Sequence, residues 1–128
     1  MIQAGIYSLL AATPALTAIV GQNIFPVTLP PDERMPALSY STVAHTSDPG
    51  LETDGMQRIR IQFDAWAEQY GQALSIRNAV EQAVLGYVGA LSDGTYVHNC
   101  LRISSTDFFQ HEGLLYRCMF ECYFLATT

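Results

Sequence analysis

His98 and Cys100, two positions apart on a predicted strand, come nearest in this chain to a ligand pair. Zinc needs about four convergent nitrogen or sulfur ligands at closed spacing. Neither CxxC nor HxxxH accompanies the pair, and His45 and His111 lie elsewhere. Two ordinary residues on one half-exposed strand face account for it. Asp64 and Glu68 flank Trp66 and invite an acid–base reading. That chemistry requires two carboxylates facing one pocket with separated pKa values. Asp64 is expected at a strand end and Glu68 at the start of a turn, so capping or solvation explains both. Gly86, Gly89 and Gly94 match neither a phosphate loop nor a dinucleotide fingerprint. Ser104-Ser105 lacks the glycines of a nucleophile elbow. No catalytic residue, metal or cofactor is expected, and the protein is not expected to be an enzyme.

Cys100, Cys118 and Cys122 form no paired spacing. Cys118 and Cys122 share a strand face with Phe120 and Phe124, which reads as free thiols packed as small apolar residues. Trp66, Tyr70, Tyr96 and Tyr123 could stack bases, but the bases needed to hold phosphates are too few. The N-terminus carries neither a basic leader nor a long apolar run. A membrane span is therefore not expected, and assembly in a reducing cytoplasm is.

The elements that position these residues follow from periodicity. Residues 2–12 place Ile2, Ile6, Leu9 and Leu10 on one helical stripe. Thr13-Pro14 reads as an N-cap and first helical position, opening a helix from Ala15 to Val20 that stops at Gly21. Asn23-Ile24-Phe25 suits a brief extended piece. Pro26 to Pro36 holds four prolines in eleven positions and reads as a loop. A strand is predicted from Ala37 to Thr46, with Leu38, Tyr40, Thr42 and Ala44 on one side and Ala37, Ser39, Ser41 and Val43 on the other. The stretch 47–55 is an acidic turn ending in Asp-Gly. Met56 to Val88 changes period midway. Ile59, Ile61, Phe63 and Ala65 alternate with Arg58, Arg60, Gln62 and Asp64, and then Ile76, Val80, Ala83, Val84 and Tyr87 recur at helical spacing. Tyr96 to Ser105 is a further strand with Val97, Leu101 and Ile103 inward, and 106–113 is a loop or irregular strand end. Leu114 to Ala126 closes the chain as a strand. A single α+β domain over 1–128 results: a mostly antiparallel sheet of about four strands with helices packed on one face.

Composition points toward contact rather than chemistry. Of 128 residues, 49% are hydrophobic and only 14% charged, against about 25% in ordinary domains. Exposed neutral and apolar surface is thus expected, which favours an assembly subunit. The net charge of −6 argues against tight nucleic-acid binding. All six bases are Arg and none is Lys. Arg and aromatic residues are enriched at interfaces while Lys is depleted. The polar strand face carrying Arg58, Arg60, Asp64, Trp66, Arg102, Arg117 and Glu121 is therefore the candidate contact surface, together with the loop acids and base Asp32, Glu33, Arg34, Asp48, Glu52 and Asp54.

The layout resembles the tail terminator, or tail-completion, family of long-tailed bacteriophages and related gene transfer agents. The resemblance runs nearly end to end. ALTAIVGQNIFPVTLPPDERMPALSY resembles the family's opening, RIRIQFDAWAEQYGQALSIRNAV its central strand and helix, and LLYRCMFECYF its closing strand. The cysteine content of the last strand departs from the pattern. The resemblance implies a structural virion protein that forms a ring, usually hexameric, at the head-proximal end of the tail tube. Such a ring ends tube polymerisation and meets a tail tube protein on one side and a neck or head-completion protein on the other, while DNA passes through the lumen without specific binding. A neck, head-completion or tube protein is the nearest alternative, and a small ligand-binding domain a more distant one. One pairing expected in the ring sets the Arg-rich strand face against the acidic 48–54 loop of the next subunit.

Overall fold

A computed structural model describes residues 2–27, 35–47, 56–110 and 115–127, with the side chains of 45–47 and 110 outside that description. In chain order the elements are α1 (Ile2–Ala11), α2 (Pro14–Val20), β1 (Ile24–Pro26), β2 (Ala37–Ser47), β3 (Gln57–Ala67), α3 (Tyr70–Val84), β4 (Gly89–Ala90), β5 (Tyr96–Gln110) and β6 (Leu115–Thr127). The strands form one six-stranded sheet in the order β1-β2-β3-β6-β5-β4. Only β1 runs parallel to its neighbour β2. The sheet is thus mixed, and larger than the expected four strands by two short edge pieces of three and two residues. Such pieces carry too little period-two signal to be read from sequence.

The helices cover one face. α3 packs on β3 and β6, the two central strands. Ile76 and Val80 meet Ile61, Phe63, Phe120 and Phe124 in the core, all at most 1% exposed. Phe63 stacks on Phe120 at 5.6 Å between ring centres, across the register that sets β3 against β6. α1 lies over the β1–β2 side, where Gln3 Nε2 donates to Thr42 Oγ1 at 2.6 Å. Gly5 lets α1 approach the turn that follows β4: a Cβ there would stand 2.6 Å from Asp93 Oδ1 and 2.7 Å from Leu91 Cβ. Pro14 opens α2 as expected, but the Thr13 hydroxyl donates back to the Leu9 carbonyl at 2.8 Å and does not cap α2. Gly21 ends α2 at φ +60°, which glycine adopts without a Cβ penalty. No single helix among the described residues is long and apolar enough to cross a membrane.

Three bulges change which side chains face the core. An extra residue in one strand reverses the alternation beyond it. In β2 the register shifts between Thr42 and Ala44, so Ala44 stands opposite Arg60 and not on the Leu38 side where alternation puts it. In β5 the shift between Val97 and Asn99 leaves His98 as the extra residue. Cys100 then turns inward at 2% exposure, while Leu101, expected inward, is 48% exposed. His98 is exposed, so the expected shared face with Cys100 does not exist. The second shift, between Arg102 and Ser104, restores a regular ladder that carries β5 on to Gln110. The expected loop from Thr106 is therefore strand as far as that residue, and positions 111–114 fall outside the described residues. The three cysteines are buried free thiols, in agreement with their apolar reading.

Candidate interface

Among the described residues nothing covers the sheet face opposite the helices, and cross-strand register arranges it in rows. Trp66, Arg117 and Phe108 form one row across β3, β6 and β5; Asp64, Met119 and Thr106 the next; Gln62, Glu121 and Ser104 the third; Arg60, Tyr123 and Leu101 the fourth. Period two makes this inevitable: once Ile59, Ile61 and Phe63 enter the core, their neighbours must face away.

Charges on this face are matched within the subunit. Arg60 Nε donates to Glu121 Oε2 at 2.7 Å, and Arg117 Nε donates to Asp64 Oδ1 at 2.8 Å. Gln62 Nε2 adds a donor to Asp64 Oδ2 at 3.0 Å. Both carboxylates are 8% exposed, deep for charged groups, and burial of this kind is tolerated only with such partners. The Arg60 guanidinium is held above its usual pKa, chiefly by the hydrogen bond to Glu121. Aromatic rings flank the cations. Arg117 lies 5.4 Å from the Trp66 ring centre and 5.0 Å from that of Phe108, and Arg58 lies 5.5 Å from that of Tyr123. Trp66 Nε1 reaches Ser39 Oγ at 3.2 Å.

Six sequence-predicted residues therefore converge: Arg58, Arg60, Asp64, Trp66, Arg117 and Glu121. Arg102 does not join them. It stands opposite Cys122 on the helix side of the sheet, and its Nη2 donates to Glu81 Oε2 of α3 at 2.7 Å. The bulge at His98, invisible to simple alternation, moved it there. Asp64 sits inside β3 and not at a strand end, while Glu68 lies past that strand and is exposed. Asp32, Glu33, Arg34, Asp48, Glu52 and Asp54 lie outside the described residues.

A cluster that the sequence reading missed sits where β5 and β6 run beyond the start of α3. Asp107 accepts from the Tyr70 hydroxyl at 2.5 Å and pairs with Arg77. Tyr116 packs between Tyr70 at 5.5 Å and Phe109 at 4.7 Å. The Tyr70 hydrogen bond, ahead of the Arg77 contacts, brings the Asp107 carboxyl below its usual range. Tyr70, Asp107, Phe108, Phe109 and Tyr116 bound a shallow depression of about 240 Å³, below the roughly 300–1,000 Å³ of small-molecule sites. The signal was present in Thr106-Asp107-Phe108-Phe109, a stretch free of Gly and Pro. A larger concavity between α1, α2 and β1 is lined, among the described residues, by Tyr7, Ala11, Thr17, Gly21, Gln22 and Ile24, none of them charged.

The family model "Tail completion protein gp17" matches residues 4–126. The chain belongs to that family. It is accordingly a structural component of the virion tail. A chain from a solved structure described as the virion of a native gene transfer agent particle shares the fold, with a TM-score of 0.77 at 17% identity over 99% of this chain and 95% of that one. No curated protein sequence matches the chain.

Proposed function

We propose that this tail-completion protein forms a ring, six-membered in the family's usual form, on the head-proximal end of the tail tube. The ring ends tube growth and joins the tail to the neck or head-completion protein. It works by contact alone, without catalysis. The observation that carries the reading is the placement of exposed apolar side chains. Among the described residues the large ones are Tyr7, Val27, Val43, Tyr70, Val88, Tyr96, Leu101, Phe108 and Phe109. Those from Tyr70 onward flank the β5 edge, and Tyr7, Val27 and Val43 flank the β1–β2 edge. Two different sticky edges on opposite sides of one sheet suit a head-to-tail contact, and such contacts close into rings when the rotation permits. A two-fold dimer would need a single self-complementary patch.

The self-matched charges give the open face another part. With Arg60 and Arg117 already bound to Glu121 and Asp64, reversal of Arg60 to Glu would oppose two carboxylates inside the subunit before it touched any neighbour. The proposed pairing of the Arg-rich strand face with a neighbour's acidic 48–54 loop would therefore add to these internal ion pairs and not replace them. Six copies would carry about −36, which repels DNA phosphates in transit through the lumen. A virion preparation made without this protein tests the reading. Tails of uncontrolled length, not joined to filled heads, are expected; tails of normal length on filled heads would refute it.

A further inference from the structure

We infer that neighbouring copies join through their backbones, the β5 edge of one subunit pairing antiparallel with the β2 edge of the next, so that the sheet continues around the ring. The inference rests on the ring reading and names the contact that would build it.

Among the described residues, both edges present backbone without a strand partner. β4 pairs only with Tyr96 and Val97, and Gly86 N–H takes the Cys100 carbonyl at 2.9 Å. Among the described residues, no strand lies outside β5 from Leu101 to Gln110. On the other side β1 pairs with Leu38, Ser39 and Tyr40 only, and Val27 N–H takes the Tyr40 carbonyl at 2.7 Å. Ser41 to Ser47 has no described strand outside it. Free edges are usually blunted with Lys, Pro, outward charge or distortion. Residues 104–110 read SSTDFFQ and 41–47 read STVAHTS, with no Pro, Gly or Lys in either. One carboxylate stands in these segments, and Asp107 is already bound by Tyr70 and Arg77. The Val43 bulge is the only irregularity in the two stretches. Edges this unguarded are templates for another strand.

Direction and offset fit a ring. β2, β3, β6 and β5 alternate antiparallel, so β2 and β5 run oppositely. Rotation about a ring axis preserves direction along that axis, and β5 therefore meets the next β2 antiparallel. The free stretches are not level. Ser41 stands opposite Gln62, then Glu121, then Ser104. Full pairing of 104–110 with 41–47 brings Gln110 level with Ser41, a slide of about six residues or about 20 Å. Four strands span about 19 Å. Subunits at equal height in a ring take up that slide as strand tilt, about 45°, the upper end of the 35–45° found in closed sheets. Exposed Phe108 and Val43 then become cross-strand neighbours of the other copy.

Hydrogen exchange on the purified chain, run over a concentration series with native mass spectrometry on the same samples, tests this. The expected result is a ring in which amides of both 41–47 and 104–110 exchange about tenfold or more slowly than in the monomer, with α1 unchanged. A ring lacking that slowing in either segment would overturn edge pairing and leave the ring reading standing. A chain that stays monomeric at every concentration would overturn both.

Discussion

The open face makes its strongest energetic claim at Asp64 and Arg117. Asp64 is 8% exposed and depends on Arg117 Nε at 2.8 Å and Gln62 Nε2 at 3.0 Å. Arg117→Met keeps an unbranched stem over Trp66 and Phe108 but removes the charged donor. A stranded buried acceptor costs about 1–3 kcal/mol. The Arg117 side chain is 25% exposed, so water replaces part of the loss and the lower half of that range applies, about 1–2 kcal/mol. For a chain of 128 residues this lowers Tm by roughly 3–10 °C. Asp64→Leu leaves the guanidinium unmatched and costs a similar amount. The double variant removes both charges and should cost no more than either single one, because paired removal spares the orphan penalty. Urea and thermal unfolding of the four proteins give the coupling directly. A coupling of about 1 kcal/mol or more is expected; additivity within about 0.3 kcal/mol would show that the pair contributes nothing as a pair, and the face would have to be explained otherwise.

Further outcomes come from the same geometry. Leu101→Gln should change stability by less than about 0.5 kcal/mol in denaturant melts, whereas Phe120→Ala, in the core beside Phe63, should cost about 3–5 kcal/mol. Burial first, and then the Asp107 charge, push the Cys118 thiol from 9.0 up to about 11, so aromatic disulfide reagents at pH 8 should leave it unlabelled until denaturant is added. Because this raised thiol holds its proton in the folded state while the unfolded thiol ionises, its share of stability is intact below pH 9 and falls as pH rises toward 11, which alkaline melts of the wild type against Cys118→Ala will show. The hydrogen bond to Asp107 is the main cause of the upward shift at Tyr70; in Asp107→Ala the phenol should titrate earlier by ultraviolet absorbance, and an unchanged titration would remove the contact.

The period-two run from Arg58 to Ala65 determined its own faces, because a strand fed by alternating residues can bury only one set. The change to helical spacing at Ile76 likewise placed α3 on that buried set, and both held. The shortage of charges and the absence of Lys are legible in composition alone and favour a contact protein. Arg102, Leu101 and Cys100 went to other sides than alternation assigns, since a bulge is chosen by the partner strand and leaves little trace in local sequence. β1 and β4 are too short to announce themselves and exist only because longer strands offer them a ladder. The pairing of Arg60 with Glu121 joins positions 61 residues apart, and only the β3–β6 register could select it over any other match of the same charges.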